Sequence, residues 1–302
     1  FQLYMKIYDC FQFFDEEMLL DLRLNIMDKY IDKFVITEAT YMHNGKPKKL
    51  NFDINKFPKF KDKIIYIIVD KSPPDLFEIY ENDNDEKDTR GQKLVLNGYK
   101  RDNYQRQMAW SFLKNINEDD WIIINDIDEI PNLKNINFKE IKNKFVIFKQ
   151  QVFYYKFNLL YPEIFWYGTK ACKKNNFISP QWLRDVKHKK YPLWRLDTIF
   201  SKKKYSNIAH INDGGWHFTN IKSAADIEKK LLNYTHHYEF EQSGLKIDDL
   251  KRKIQEKKII YDHGVDQRQP KWKSEKTLTK IDLKNMPEYL RENYKKYASW
   301  LE

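Results

Sequence analysis

Apolar positions along the first half of the chain switch between two periods, one of two residues and one of three to four. Residues 6–14 alternate as a strand would, and Asp15 then stands where a helix cap belongs, ahead of Leu19, Leu22, Ile26 and Tyr30 at helical spacing. Residues 33–37 predict a second, buried strand ending on Glu38, and residues 64–69 a third. Tyr104, Met108, Phe112 and Ile116 space a helix just before Trp121-Ile122-Ile123-Ile124, a continuous apolar run expected of a strand covered on both faces. Residues 145–148 and 151–157 predict further strands, whereas 71–93, rich in acids, Asn and Pro, read as a long loop. Strands and helices taking turns in this way predict an α/β fold with a mostly parallel sheet flanked by helices.

The second half is less regular. Residues 166–194 are aromatic and basic, broken by Pro180 and Pro192. A glycine turn, Asn212-Asp213-Gly214-Gly215, leads into Trp216-His217-Phe218. Ser223, with Asp226 three residues on, predicts a helix ending near His236, His237 and Glu239. Pro287 opens a terminal helix with Leu290, Tyr294 and Tyr297 turned inward. With no internal repeat and no linker, residues 1–302 are expected to form one domain with a C-terminal helical extension.

A chain of 302 residues can bury a sizeable core. Its aromatic content of 16% suits a sugar-binding cleft, because Tyr and Trp offer an apolar face and a polar tip. A formal net charge of +10 suggests an anionic partner, whether nucleotide, membrane surface or nucleic acid. The basic runs Lys187-His188-Lys189-Lys190, Lys202-Lys203-Lys204 and Lys251-Arg252-Lys253 lack the interleaved aromatics of a nucleic-acid surface and read as solvated faces. A nucleotide, with peripheral membrane contact, remains the expected partner. Cys10 and Cys172 are too few for a disulfide framework or a Cys-based zinc site and fit a reducing compartment. No apolar run approaches the ~20 residues of a membrane span. No signal peptide stands at the start, so a cytoplasmic location is expected, with Met5 as the natural first residue.

Directly after the apolar run come Asp126-Ile127-Asp128-Glu129-Ile130-Pro131. Residues two apart on an extended chain face the same way, roughly 6–7 Å apart, so Asp126 and Asp128 can share one divalent cation. An oxygen-held cation with open positions offsets the charge that develops on a diphosphate leaving group. A lone Asp-x-Asp is more often a solvated turn. Three acids beside a buried strand, however, call for a cation or a basic partner, and Glu129 can take the latter. Ligands of open α/β sheets bind at the carboxyl ends of strands, where Glu38 and the Asp126 cluster both fall.

Tyr8-Asp9-Cys10-Phe11, Asp32-Lys33-Phe34-Val35-Ile36-Thr37-Glu38, Asn44-Gly45-Lys46-Pro47-Lys48 and Gln105-Arg106 precede that acidic run; Leu183-Arg184, Gly214-Gly215-Trp216-His217-Phe218 and Pro287-Glu288-Tyr289-Leu290 follow it. In this order the stretches resemble glycosyltransferase family 17, whose animal member adds the bisecting N-acetylglucosamine to N-glycans. The resemblance implies a GT-A type, Rossmann-like fold with a donor-binding half at about 5–131 and an acceptor half at about 132–302. It also implies a UDP-sugar donor (UDP-N-acetylglucosamine), inversion at the anomeric carbon, and Mn²⁺ or Mg²⁺ held by Asp126 and Asp128. The expected acceptor is a glycan or glycoconjugate, in a bacterial or viral surface-glycan role.

Other residues take roles within that frame. His217 is either a further metal ligand or a structural histidine beside Trp216. Arg106 and Arg184 suit diphosphate oxygens unless they are simple ion pairs, with Lys46 a weaker candidate. Glu38 either accepts from the uridine ribose or base, or caps its strand. Inversion needs a general base, for which Glu239 ranks first and Asp213 second. Trp166, Trp182 and Trp216 can stack on a sugar or fill the core, and Gly214 and Gly215 can let the backbone approach a ligand. Asp126→Ala or Asp128→Ala is expected to abolish turnover and spare the fold. Two other readings use the same features: a nucleotidyltransferase, which normally adds a Gly-rich phosphate loop not seen here, and a non-catalytic glycan- or polyanion-binding module.

Overall fold

The computed structural model describes residues 5–79, 87–188, 207–262 and 271–302. β1 (Ile7–Gln12), α1 (Glu17–Met27), β2 (Lys33–Ala39) and β3 (Ile64–Val69) open the chain. α2 (Lys87–Gln107) and α3 (Trp110–Leu113) then lead to β4 (Trp121–Ile124) and, across a short turn, β5 (Glu129–Pro131). Next come β6 (Phe145–Phe148), β7 (Gln150–Tyr154), β8 (Leu159–Trp166), β9 (Lys170–Lys173) and α4 (Pro180–Asp185). β10 (Ile208–Ile211), β11 (Gly215–Thr219), α5 (Ala224–Asn233), α6 (His237–Ser243), α7 (Ile247–Gln255), β12 (Thr279–Lys280) and α8 (Glu288–Glu292) complete it.

Among the described residues the strands form two sheets, a seven-stranded one ordered β10-β6-β9-β4-β1-β2-β3 and a five-stranded one ordered β12-β8-β7-β11-β5. The larger is mostly parallel, as expected: β4, β1, β2 and β3 run together and β10 runs with β6, while β9 opposes both its neighbours. The smaller is mostly antiparallel, with only β7 and β11 parallel. β4 is fully buried: Trp121 and Ile123 join Leu20, Leu22 and Leu24 of α1 on one face, and Ile122 and Ile124 join Tyr8, Cys10 and Leu113 on the other. Burying each such side chain contributes ~1.5–3 kcal/mol, so β4 is a rigid base for the turn that follows it. A third cluster, including Val152, Tyr154, Ile227, Leu231 and Leu250, packs β7 against α5 and α7.

Several elements differ from the sequence pattern. The loop expected over 71–93 is already helical at Lys87. A Cβ on Gly91 would lie 2.4 Å from the Tyr238 ring and one on Gly98 3.0 Å from the Thr235 carbonyl, so α2 packs closely on α6 and on the chain just before it. The helix expected through Ile116 divides after Gln107: Tyr104 and Met108 pack on Ala39, Tyr41 and Val69, Phe112 and Ile116 on the β4 cluster. Glu16, not Asp15, precedes α1, its carboxylate accepting the Phe14 and Asp15 N–H groups at 3.1 Å each, and Tyr30 lies beyond the helix end. The strand over 151–157 stops at Tyr154, because Tyr155 turns with φ 64°. Ser223 does cap its helix, but α5 stops at Asn233 and His237 opens a separate one. The terminal helix is five residues long, and Tyr294 is 46% exposed while Leu290 and Tyr297 are buried. Lys253 of the supposed solvated run is buried and donates to the Ser274 carbonyl at 2.6 Å. Lys189, Lys190, Pro192, Trp194 and Lys202-Lys203-Lys204 lie outside the described residues. Among those described, no helix is long and apolar enough to cross a membrane.

Candidate functional site: an acidic turn at the end of β4

The turn between β4 and β5 is held from beneath by a group the sequence reading missed. Arg23 of α1 is fully buried and grips Asp9 of β1 through Nε–Oδ2 at 2.9 Å and Nη2–Oδ1 at 2.7 Å. Its Nη1 donates to the carbonyls of Asp126 and Ile127 at 3.2 Å each and of Glu129 at 2.8 Å. The Asn125 amide adds a bond to Asp9 at 2.9 Å. An Asp in a buried strand and an Arg between Leu22 and Leu24 of an apolar helix was the available signal, since neither charge is buried without the other.

The two aspartates do not share a face. They lie in the turn, closed by the Glu129 N–H on the Asp126 carbonyl at 3.0 Å, and not on the extended strand that the Asp-x-Asp spacing suggested. Asp126 meets Arg106 at 3.1 Å and Arg184 at 2.7 Å. Burial raises its pKa, but the Arg184 and Arg106 guanidiniums outweigh burial and hold the carboxyl well below the usual range. Glu129, fully buried, takes Arg184 at 2.6 Å and also accepts from the Trp166 indole, so it has the basic partner expected of it. Arg106 is tied further to Gln181 at 2.6 Å, Gln12 at 2.8 Å and Asp102 at 3.2 Å.

Asp128 turns away from that cluster. Its carboxylate faces His217 Nε2 at 3.7 Å and Lys230 Nζ at 3.9 Å. Burial raises its pKa and the facing His217 and Lys230 lower it, with the net shift downward. The His217 ring stacks on Trp166, centroids 4.8 Å apart, and its Nδ1 is buried without a hydrogen-bond partner. Among the described residues no three His, Cys, Asp or Glu side chains converge closely enough to hold a metal ion by themselves. Lys170, also missed from the sequence, donates to the Arg184 carbonyl; burial and the Arg184 charge push its pKa down to about 7.

The remaining candidates are spread around this centre. Glu38 is buried and accepts from Asn51 N–H at 2.7 Å, Phe52 N–H at 3.1 Å, Tyr66 Oη at 2.8 Å and Lys48, so it fixes the loop after β2; Lys46 is exposed on that loop. Glu239 lies 3.1 Å from His236 Nδ1, and His236 Nε2 lies 3.0 Å from Tyr99 Oη. Tyr99, Asp102 and Arg106 occupy one face of α2, so Tyr99, which meets His236, and Arg106, which meets the turn, are on the same side of that helix. Asp213 bonds Asn132 at 2.8 Å beyond the Pro131 end of the β5–β11 pairing. Asp213 is four residues, at most roughly 13–14 Å, from His217, the residue that faces Asp128. Trp216 points to the face opposite His217, its indole on the Asn285 carbonyl at 3.4 Å, and Trp182 packs on Phe145 with centroids 5.5 Å apart.

The sequence pattern of Glycosyltransferase family 17 matches residues 2–301. The chain belongs to that family. The human and rat proteins named beta-1,4-mannosyl-glycoprotein 4-beta-N-acetylglucosaminyltransferase are each 28% identical to it over 127 residues, 41% of this chain and 21% of theirs. The mouse protein of the same name matches over the same shares, so these alignments span about a fifth of the relatives' length. These relatives are mammalian and lend no support to the bacterial or viral origin expected from the sequence. No solved structure matches the chain.

Glycines of this family 17 chain serve the framework more than a ligand. A Cβ on Gly214 would lie 2.4 Å from the Lys149 backbone, and Gly215, at φ +109°, has room only for hydrogen against the Ile130 carbonyl. Gly168 bears directly on the site: a Cβ there would lie 2.1 Å from Glu129 Oε1 and 2.3 Å from the Trp166 indole nitrogen. Since Arg184 pins Glu129, the carboxylate cannot swing clear. Gly168→Ala is therefore expected to destabilise the chain by about 1–3 kcal/mol, read as a lowered melting temperature; an unchanged value would show that Glu129 can move.

Proposed function

We propose that the protein moves N-acetylglucosamine from UDP-N-acetylglucosamine to a glycan hydroxyl, with inversion and with Mn²⁺ or Mg²⁺. The observation that carries the reading is the acidic turn at the carboxyl end of a central parallel strand, flanked by two nearly buried guanidiniums in a family 17 chain. On this reading the fold is of GT-A type. Residues of about 5–131 bind the donor, and those of about 132–302, with the C-terminal helices, take the acceptor.

The residues fit a cation. Asp128 Oδ1 and His217 Nε2, an oxygen and a nitrogen donor 3.7 Å apart, are the pair that would hold it. His217 Nδ1 has no partner that would commit the Nε2 lone pair elsewhere. Asp126, two residues from Asp128 in the same turn, would be the third residue of the site. When bound, the cation offsets charge developing on the departing UDP.

The protein's own groups do the rest. Arg106 and Arg184, held in place by Asp126, Asp102 and Glu129, keep two guanidinium charges beside the diphosphate. The loop that Glu38 fixes, with Lys46 on it, borders the nucleoside. Glu239 takes the acceptor proton: the His236 contact, outweighing burial, lowers its pKa and keeps it ionised at neutral pH. Asp213 is the second choice, since it stands at the far end of β11.

The test is release of UDP from UDP-N-acetylglucosamine with Mn²⁺. Activity should vanish with a chelator and return with excess Mn²⁺. Neither release nor binding of any of several UDP-sugars would overturn the reading, and pyrophosphate as the product would point to nucleotidyl transfer.

A further inference from the structure

Beside Asp128, on the side away from the two guanidiniums, lies a cavity of about 250 Å³ between the first turn of α1, the end of β11, α5 and Trp300. Neither Arg106 nor Arg184 lines it; five carboxylates do, from Asp15, Glu16, Glu17, Asp128 and Asp226, against the two ammonium groups of Lys222 and Lys230. Those groups are largely committed already, Glu17 to Lys56 outside the cavity. Lys222 pairs with Asp15 and lies 3.9 Å from Glu16, and Asp226 accepts from the Ser223 hydroxyl at 2.6 Å. The wall is thus fixed before a ligand arrives. Met18, Leu19, Phe218 and the Trp300 ring supply its apolar part.

We propose that this cavity is an acceptor subsite next to the reacting ring, since Glu239 does not line it, and that it takes one uncharged sugar ring, discriminating against acidic sugars. The inference rests on the transferase reading and adds the substrate class. Carboxylates accept hydrogen bonds only, which matches the hydroxyl donors of a neutral pyranose. An excess of negative charge opposes a uronate, phosphate or sialate and would equally oppose the donor's diphosphate. An indole beside such carboxylates offers the flat apolar face on which a sugar ring packs. At about 250 Å³ the space suits one ring and is small for a nucleoside diphosphate. Asp128 lines the cavity and also faces His217, so a ring seated here lies beside the metal end of the donor's diphosphate.

Saturation-transfer NMR on the full chain with saturating UDP and Mn²⁺ tests this, using methyl glycosides of glucose, mannose, galactose, N-acetylglucosamine and glucuronate as probes. At least one neutral glycoside should bind together with UDP, and at least about tenfold more tightly than the glucuronide. Trp300→Ala should weaken it at least about fivefold and Trp300→Phe much less. UDP bound with no neutral glycoside, a glucuronide that binds as well, or a glycoside displaced by UDP would each overturn the subsite alone. Failure of UDP itself to bind would overturn the donor reading and the subsite with it. A Trp300→Ala chain that melts like the parent but loses UDP would assign the cavity to the nucleotide. Should that variant not fold, the competition on the parent chain decides.

Discussion

Asp128→Ala is expected to lower sugar transfer by roughly 10²–10³-fold while leaving the melting temperature within about 2 °C of the parent. The side chain's charged neighbours, His217 Nε2 at 3.7 Å and Lys230 Nζ at 3.9 Å, are too distant for good hydrogen bonds. What ties Asp128 to the fold is its carbonyl, which accepts the Phe218 N–H at 2.8 Å and survives in alanine. Asp126→Ala should behave differently, contrary to the expectation that either change spares the fold. It strips a counter-ion from both Arg106 and Arg184, which lie at only 7% and 14% side-chain exposure. Each arginine keeps one acid, Asp102 or Glu129, and Asp126 itself is 36% exposed. The loss is therefore about 1–2 kcal/mol, well below that of a fully buried pair. Parallel thermal melts and UDP-release assays separate the two. Parental turnover in Asp128→Ala, or identical melting of both variants, would contradict the division of labour within the turn.

What the sequence revealed of this site follows from how local each feature is. The β4 run was legible because four consecutive apolar residues admit little besides a strand sandwiched between layers, and both layers are present. Arg106 and Arg184 were legible by resemblance, and both meet the turn. The directions of Asp126 and Asp128 were not, because the Asp-x-Asp spacing was read as strand where the chain turns. The smaller sheet was hidden for a different reason. β5 and β12 are three and two residues long, and β5 pairs with β11 far along the chain, Pro131 against Gly215. Nothing in a short window records such a pairing. The early turns of α2 were hidden because Gly91, inside the stretch read as loop, and Gly98 are what allow the helix to pack so closely. Lys170 and Gly168 matter through neighbours on other elements, which the periodicity of their own stretch does not reveal.

Arg23→Met should be among the most damaging single changes in the chain, costing about 3–5 kcal/mol of stability, read from the urea midpoint. The guanidinium is fully buried beneath the site, over the Phe11 ring at 4.5 Å, with the Asp9 carboxylate as its counter-ion. Methionine fills much of the volume but leaves Asp9 charged and unpaired between β2 and β4. Neutralising that charge as well, in Asp9→Asn/Arg23→Met, should recover about 1–2 kcal/mol, since a lost ion pair is tolerated better than half of one. The Asn125 bond has an acceptor in either case. The recovered stability should not restore transfer. The carbonyls of Asp126, Ile127 and Glu129 all lose the one side-chain donor they share, and neither variant replaces it. A double variant that regains both stability and turnover would show that Arg23 only balances charge. One that regains stability alone identifies it as the residue that positions Asp126 and Asp128.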